Sequence, residues 1–251
     1  MDEQLTLLLP GKKIYFASDF HLGAPNHDQS FVREKKIVQW LDTIAEDAQT
    51  IFLVGDLFDF WFEYRHVVPK GYVRFLGKLA ELADLGVNIV VFVGNHDLWM
   101  KDYLKDLCGA TIVHEGQSLR LGDKDFYITH GDGLNPKDKK YRIIKRVFTN
   151  SVCQWLFGWF HPDLGITLAH LWSGSSREQQ LGQNDDAHLV AHSRKLEKHR
   201  HHDYYVYGDC HIDRVKQINE TSLYCNLGDW IDKFSYAVFD GDEFQLKRFE
   251  G

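Results

Sequence analysis

The run Val90-Val91-Phe92-Val93-Gly94-Asn95-His96-Asp97 ends an apolar stretch at a glycine and then delivers three polar side chains in succession. The Asn95 amide oxygen can ligate a cation, the His96 imidazole can donate or accept a proton, and the Asp97 carboxylate can orient that imidazole. The same design, a short apolar run and then an acid or a histidine, recurs along the chain. It delivers Asp19 and His21 after residues 12–18, Asp56 after 51–54, His130 after 126–129, and Asp209 with His211 after 204–207. A single Asp-x-His or Gly-Asp is more often a turn. Together these ends make a metal-ligand inventory: Asp19, His21, Asp56, Asn95, His130, Asp209 and His211. Carboxylate, imidazole and amide oxygen in combination suit Mn2+, Zn2+ or Fe2+. So many groups exceed one catalytic ion and fit two. Two ions about 3.5–4 Å apart can clamp a phosphoryl group and activate the water that attacks it in line.

Strands must position those ends. Short apolar runs bounded by turn signals read as buried strands, and the loops at their carboxyl ends place side chains in a crevice. Residues 12–18, 51–54 and 87–93 read this way. Between them, 31–48 carries Ile37, Val38, Leu41, Ile44 and Ala45 at helical spacing, and 72–85 reads as a second helix ending at Gly86. Strand–helix–strand–helix–strand with short links predicts an α/β fold with parallel pairing. Beyond 118 the period changes, with strands over 118–121, 126–129, 204–207 and 223–227, and a hairpin over 235–249 turning at Asp240-Gly241-Asp242. Helices over 138–150, 152–172 and 185–202 interrupt these strands. We therefore expect a single domain over 1–251 with a helical cap inserted at about 136–202.

The composition is globular, 44% apolar and 14% aromatic, and the net charge of −7 argues against a general nucleic-acid binder. Basic residues concentrate in the insertion, 11 Lys/Arg against 6 Asp/Glu over 136–202. Such a segment suits an anionic partner, and a solvated helical face reads equally well. Cys108, Cys153, Cys210 and Cys225 show no paired spacing, which fits reduced thiols in a cytoplasmic protein. Asp2 and Glu3 stand where a secretory signal needs positive charge, and no apolar run approaches the ~20 residues that cross a bilayer. The expectation is a protein that is soluble or at most peripheral to a membrane.

Asp19-x-His21, Gly55-Asp56-x-x-Asp59, Gly94-Asn95-His96-Asp97, His130-Gly131-Asp132 and Gly208-x-x-His211 resemble the five blocks of the calcineurin-like metallophosphoesterases. The resemblance implies a four-layer α/β/β/α sandwich with a two-metal centre. Carried over block by block, Asp19, His21 and His211 hold one metal, Asn95, His130 and the residue at 209 the other, and Asp56 bridges them. His96 then sits over the phosphate as proton donor or charge stabiliser, oriented by Asp97. Gly55 to Trp61, the spacing from His130 through Asp138 to Tyr141, and Leu227-Gly228-Asp229-Trp230 are similar to the UDP-2,3-diacylglucosamine pyrophosphohydrolase family. This likeness covers about 14–141 and 204–240 and is loose over 142–203. It implies Mn2+, cleavage of a lipid-bearing UDP-sugar to UMP and lipid X in lipid A synthesis, and a peripheral location on the cytoplasmic face of the inner membrane. It also implies an insertion that houses the acyl chains, with Asp138, Tyr141 and Ser176 at positions that contact substrate.

Two departures stand out. His96 occupies a position where many members of that family have arginine. Asp209 stands where the family has the first histidine of Gly-His-x-His, so one imidazole has become a shorter, charged carboxylate. In the insertion, Trp155, Phe157, Trp159 and Leu171 are expected to line an apolar chamber, although aromatics at helical spacing are usually core. His27, His66, His114, His161, His170, His188 and His192 have no spacing that suggests a site. The rival readings are a phosphodiesterase or phosphatase acting on a soluble ester, and a catalytically impaired lipid-binding relative. Oligomeric state is left open.

Overall fold

The computed structural model describes residues 7–165, 167 and 185–251. In chain order they form β1 (Lys13–Ala17), α1 (His27–Ile44), β2 (Ala48–Val54), α2 (Val73–Asp84), β3 (Asn88–Phe92), α3 (Tyr103–Cys108), β4 (Thr111–Val113), β5 (Gln117–Leu121) and β6 (Lys124–Ile128). There follow α4 (Lys139–Phe148), α5 (Ser151–Phe157), α6 (Ala187–Glu197), β7 (Tyr204–Tyr207), β8 (Asp213–Gln217), β9 (Leu223–Leu227), β10 (Ser235–Phe239) and β11 (Phe244–Arg248).

One sheet has the order β11-β10-β1-β2-β3-β4, with β1 to β4 parallel and the C-terminal hairpin antiparallel to β1. The other has the order β5-β6-β7-β9-β8, in which β6, β7 and β9 are parallel. Continuous apolar strands are stable only with both faces covered, and the packing supplies both covers. Tyr15, Ile51, Leu53 and Val91 face Ile37, Trp40 and Leu41 of α1 and Phe75, Leu79 and Leu82 of α2. Phe16, Phe52 and Phe92 face Phe126, Val206 and Leu227 of the second sheet, with Phe16 stacked 5.1 Å from Phe52 and 5.8 Å from Phe126. Tyr205, Tyr207 and Tyr224 carry the second sheet onto Leu189 and Val190 of α6. The layers are helix, sheet, sheet, helix, as the sequence resemblance implies.

Helix boundaries follow their caps. The Asn26 side chain accepts from the Gln29 amide, so α1 starts well before the residue 31 expected from periodicity, and it stops before Ala48, which joins β2. The Tyr72 side chain does not cap α2; instead Glu34 of α1 accepts from the Arg74 and Phe75 amides at 2.9 and 3.1 Å. Among the described residues no helix is long and apolar enough to cross a membrane.

Candidate metal centre

Parallel register brings the carboxyl ends of the strands level. Ala17 pairs with Leu53 and Val54 with Phe92, so the loops carrying Asp19, His21, Asp56, Asn95 and His96 leave the first sheet side by side. Ile128 pairs with Val206 and Tyr207 with Asn226 in the second, which aligns His130, Asp209, His211 and Asp229. Both sets of loops meet at the same end of the sandwich. The backbone there is bent hard. Asp19, His21, Asp56, Asp209 and His211 all take positive φ, between 43° and 66°. For non-glycine residues this costs about 1–3 kcal/mol each and persists where the surroundings enforce it, most often at functional sites. Gly55, at φ +86°, lies so close to the His130 ring that a Cβ would collide with it, and Gly94 is pressed in the same way on the Asp56 carboxylate.

The side chains converge in two groups that share a centre. Asp19, His21 and His211 form the first: Asp19 Oδ1 is 3.7 Å from His21 Nε2 and 3.5 Å from His211 Nε2. Asp56, His130 and Asn95 form the second, with Asp56 Oδ2 3.4 Å and Asn95 Oδ1 3.2 Å from His130 Nε2. Asp56 Oδ2 is also 3.6 Å from His21 Nε2, so it lies between the groups. Asp209 joins the second group through Oδ1, 3.8 Å from His130 Nε2. Asp19 Oδ1, His21 Nε2, Asp56 Oδ2 and His211 Nε2 are buried and have no hydrogen-bond partner among the described residues. Buried polar atoms are normally satisfied. Hard oxygens and imidazole nitrogens left this way at mutual distances of 3.5–3.7 Å fit divalent cations.

The electrostatics point the same way. Burial alone lowers an imidazole's pKa, yet the carboxylates of Asp19, Asp59 and Asp56 push His21 up to about 9, and Asp56 with Asp19 and Asp209 lifts His130 above its ordinary value. Burial pushes Asp209 up to about 7, with the neighbouring Asp132, Asp56 and Asp19 adding to the rise and His130 opposing it. So many acids around one point attract positive charge, which here is supplied by protons on histidine or by metal ions.

Residues 12–213 match the calcineurin-like phosphoesterase family. The chain belongs to that family. Members use divalent metals, and this phosphoesterase has the buried donor groups to hold them. A relative from Porphyromonas gingivalis (strain ATCC BAA-308 / W83), named UDP-2,3-diacylglucosamine hydrolase, is 37% identical, with 95% of this chain and 98% of that protein covered. A protein of the same name from Shewanella baltica (strain OS223) is 27% identical over 92% of this chain and 95% of its own length. A solved archaeal phosphodiesterase aligns at 18% identity with a TM-score of 0.48, covering 94% of this chain and 99% of that one.

In this phosphoesterase His96 stands at the edge of the centre, its ring edge-on to His21 at 4.8 Å. The role expected of Asp97 needs correction. Its two oxygens accept from the Leu57 and Gly94 amides at 2.8 and 2.7 Å, so it staples the β2 and β3 loops together. The His96 imidazole is oriented by Asp59, whose carbonyl oxygen lies 2.9 Å from Nδ1. The Asp59 carboxylate is also 3.8 Å from Nδ1 of both His21 and His96. Sequence reasoning quoted Asp59 within its block without giving it a task; a second acid three residues after Asp56 was the available signal. Asp229 was missed likewise. Its Oδ2 lies 3.6 Å from His211 Nδ1 and 2.9 Å from Lys233 Nζ, while Oδ1 takes the Ile231 and Asp232 amides.

The residues expected to touch substrate divide. Asp138 is exposed at the start of α4. The Tyr141 hydroxyl and Lys145 Nζ both donate to Asp132 Oδ2 at 2.5 Å, which commits Tyr141 to anchoring α4. Phe157 packs 4.6 Å from Trp99 and 4.9 Å from Phe62, centroid to centroid, as an anchor for α5 rather than an open wall. Trp155 and Trp159 are 61% and 74% exposed and, with Gln154 and Gly158, form one side of a cleft of about 900 Å3 whose other side is residues 62–68 and 101–103. None of the candidate metal ligands lines that cleft. Leu171 and Ser176 lie outside the described residues.

Proposed function

We propose that this chain is a two-metal hydrolase that cleaves the diphosphate of UDP-2,3-diacylglucosamine to UMP and 2,3-diacylglucosamine 1-phosphate. The observation that carries the reading is the set of buried, hydrogen-bond-free donor atoms on Asp19, His21, Asp56 and His211. The names of the relatives support the choice of substrate. In this reading Asp19, His21 and His211 hold one ion, Asn95, His130 and Asp209 hold the other, and Asp56 faces both. When bound, two divalent ions, Mn2+ in our reading, clamp the phosphoryl oxygens and lower the pKa of the attacking water.

The chain's own residues do the rest. The Nδ1 of His96 faces a carbonyl oxygen, which can only accept, so Nδ1 keeps its proton and Nε2 is the atom that exchanges one with substrate. Burial lowers the His96 pKa, while the Asp56 and Asp59 carboxylates oppose that shift. Asp97 keeps the two loops that carry Asp56 and Asn95 in register.

Residues 136–202 serve as the cap of a single domain. Trp155 and Trp159 offer apolar surface to the acyl chains. α4 combines Lys139, Lys140, Arg142, Lys145 and Arg146 with exposed Ile143 and Val147, a pairing that suits an anionic membrane surface and supports a peripheral, cytoplasmic-face location.

The test is product analysis. Purified protein with Mn2+ and UDP-2,3-diacylglucosamine should release UMP and the acylated sugar phosphate in equal amounts. Turnover of a bis-aryl phosphodiester without UMP release would instead mark a phosphodiesterase of soluble esters. No turnover of either, with lipid recovered in an organic extract, would mark a lipid-binding relative.

A further inference from the structure

The turn between β9 and β10, residues 229–233, supplies none of the candidate ligands, yet it grips two of the three residues assigned to the first ion. The Trp230 amide donates to the Asp19 carbonyl at 3.1 Å. The buried Trp230 ring packs edge-on to Phe20 at 5.4 Å, and Phe20 stands between Asp19 and His21 in the chain. Lys233 Nζ donates to the His211 carbonyl at 2.5 Å and to Asp229 Oδ2 at 2.9 Å. Asp229 is buried, and its Oδ1 accepts the Ile231 and Asp232 amides at 3.0 and 2.8 Å, which fixes the carboxylate to the turn. Oδ2 faces His211 Nδ1 at 3.6 Å, an attraction of charge to ring beyond hydrogen-bond length. On the other side of that ring, Nε2 is 3.5 Å from Asp19 Oδ1. Asp19 and His211 both hold positive φ, 57° and 53°, which a non-glycine residue keeps only where its surroundings enforce it. The turn is part of those surroundings.

We propose that Lys233 is a positioning residue for the first metal: by holding the His211 carbonyl and the Asp229 carboxylate at once, it keeps Nδ1 of His211 on Asp229 and Nε2 turned towards Asp19. This inference rests on the two-metal reading above. An ammonium has donors and no acceptor, so Lys233 cannot itself ligate a cation and acts only through the residues it ties together. Groups that orient a ligating histidine from behind matter to the ion, and loss of one typically costs 10–100-fold in metal affinity. Both Lys233 contacts lie on the first-ion side of the centre, so the effect should be one-sided.

Titration of the full-length, metal-free protein with Mn2+, following free Mn2+ by electron paramagnetic resonance, tests this without recourse to activity. The parent should bind two ions. Lys233→Met, which keeps the apolar stem and removes the donors, should weaken one of them by about 10–100-fold and leave the other unchanged. In a His130→Ala background, where the second ion is lost, Lys233→Met should weaken the ion that remains. In a His211→Ala background, where the first is lost, it should change nothing. Lys233→Arg, which keeps a charged donor for both oxygens, should restore most of the affinity. Two ions bound as in the parent by Lys233→Met would overturn the positioning role alone. Equal losses in the two backgrounds would do the same, because they mark a general loosening of the fold. Fewer than two ions in the parent would overturn the two-metal reading and this inference with it.

Discussion

The end of the sandwich and the helices α4 and α5 break the usual packing rules in opposite directions. At the strand ends, carboxylate and imidazole atoms of Asp19, His21, Asp56 and His211 are buried without hydrogen bonds among the described residues. On α4 and α5 no residue is buried, and Ile143, Val147, Val152, Trp155 and Leu156 are all exposed, as is Trp159 just beyond. Among the described residues, each region is incomplete in the chemistry of what it meets: one lacks positive charge, the other lacks apolar contact. They are also held differently. The first is stapled by the backbone-accepting carboxylates of Asp97 and Asp229. Among the described residues the second is held by Phe148 and Phe157 against Trp99, by Phe157 against Phe62, and by Asp132, which accepts from Tyr141 and Lys145. A buried charged centre and an exposed apolar surface in one chain would suit a substrate with a phosphate end and a lipid end.

The largest effect should come from the atom between the two groups. Asp56→Asn removes the shared charge, so both ions should be lost and UMP release should fall to background; elemental analysis of the variant checks this. His96→Ala should come next, with metal content intact and kcat lower by about 10²–10⁴. Lost metal, or an unchanged kcat, would take His96 away from the phosphate. Trp159→Ala probes the other region. Losing the burial of an aromatic against acyl chains is worth about 1.5–3 kcal/mol, roughly ten- to a hundredfold in KM for the acylated substrate. An unacylated UDP-sugar should be unaffected. Equal losses on both would make Trp159 part of the helix packing only. The smallest catalytic effect should be that of Asp97→Asn. Turning an amide N–H2 towards the Gly94 or Leu57 amide should lower stability by about 1–3 kcal/mol in denaturant unfolding. A kcat loss as large as that of His96→Ala, without that instability, would restore the orienting role.

What the sequence revealed follows this same division. Buried strands advertise themselves as apolar runs, and the acids and histidines after β1, β2, β3, β6 and β7 were legible because strand ends are where a parallel sheet can gather side chains. β8 was not legible. Residues Asp213–Gln217 are mostly polar, with the last three exposed, and they form a strand because β9 offers them an edge to pair with. β4 is three residues long and joins β3 only once α3 has turned the chain. Asp97 was misread because adjacency in sequence says nothing of which way successive side chains point after a turn. Asp59 and His96 are 37 residues apart, and their contact exists only in the fold. In the cap, helical spacing found the aromatics but could not separate Phe157, which packs inward, from Trp155 and Trp159, which do not.

The central claim is a pair of metal ions astride Asp56. Crystals of the protein grown with Mn2+ and measured at the manganese absorption edge test it most directly. Two anomalous peaks per chain should appear, one against Asp19, His21 and His211, the other against Asn95, His130 and Asp209, with Asp56 in contact with both. A single peak, or two peaks that leave Asp56 in contact with neither, would contradict it.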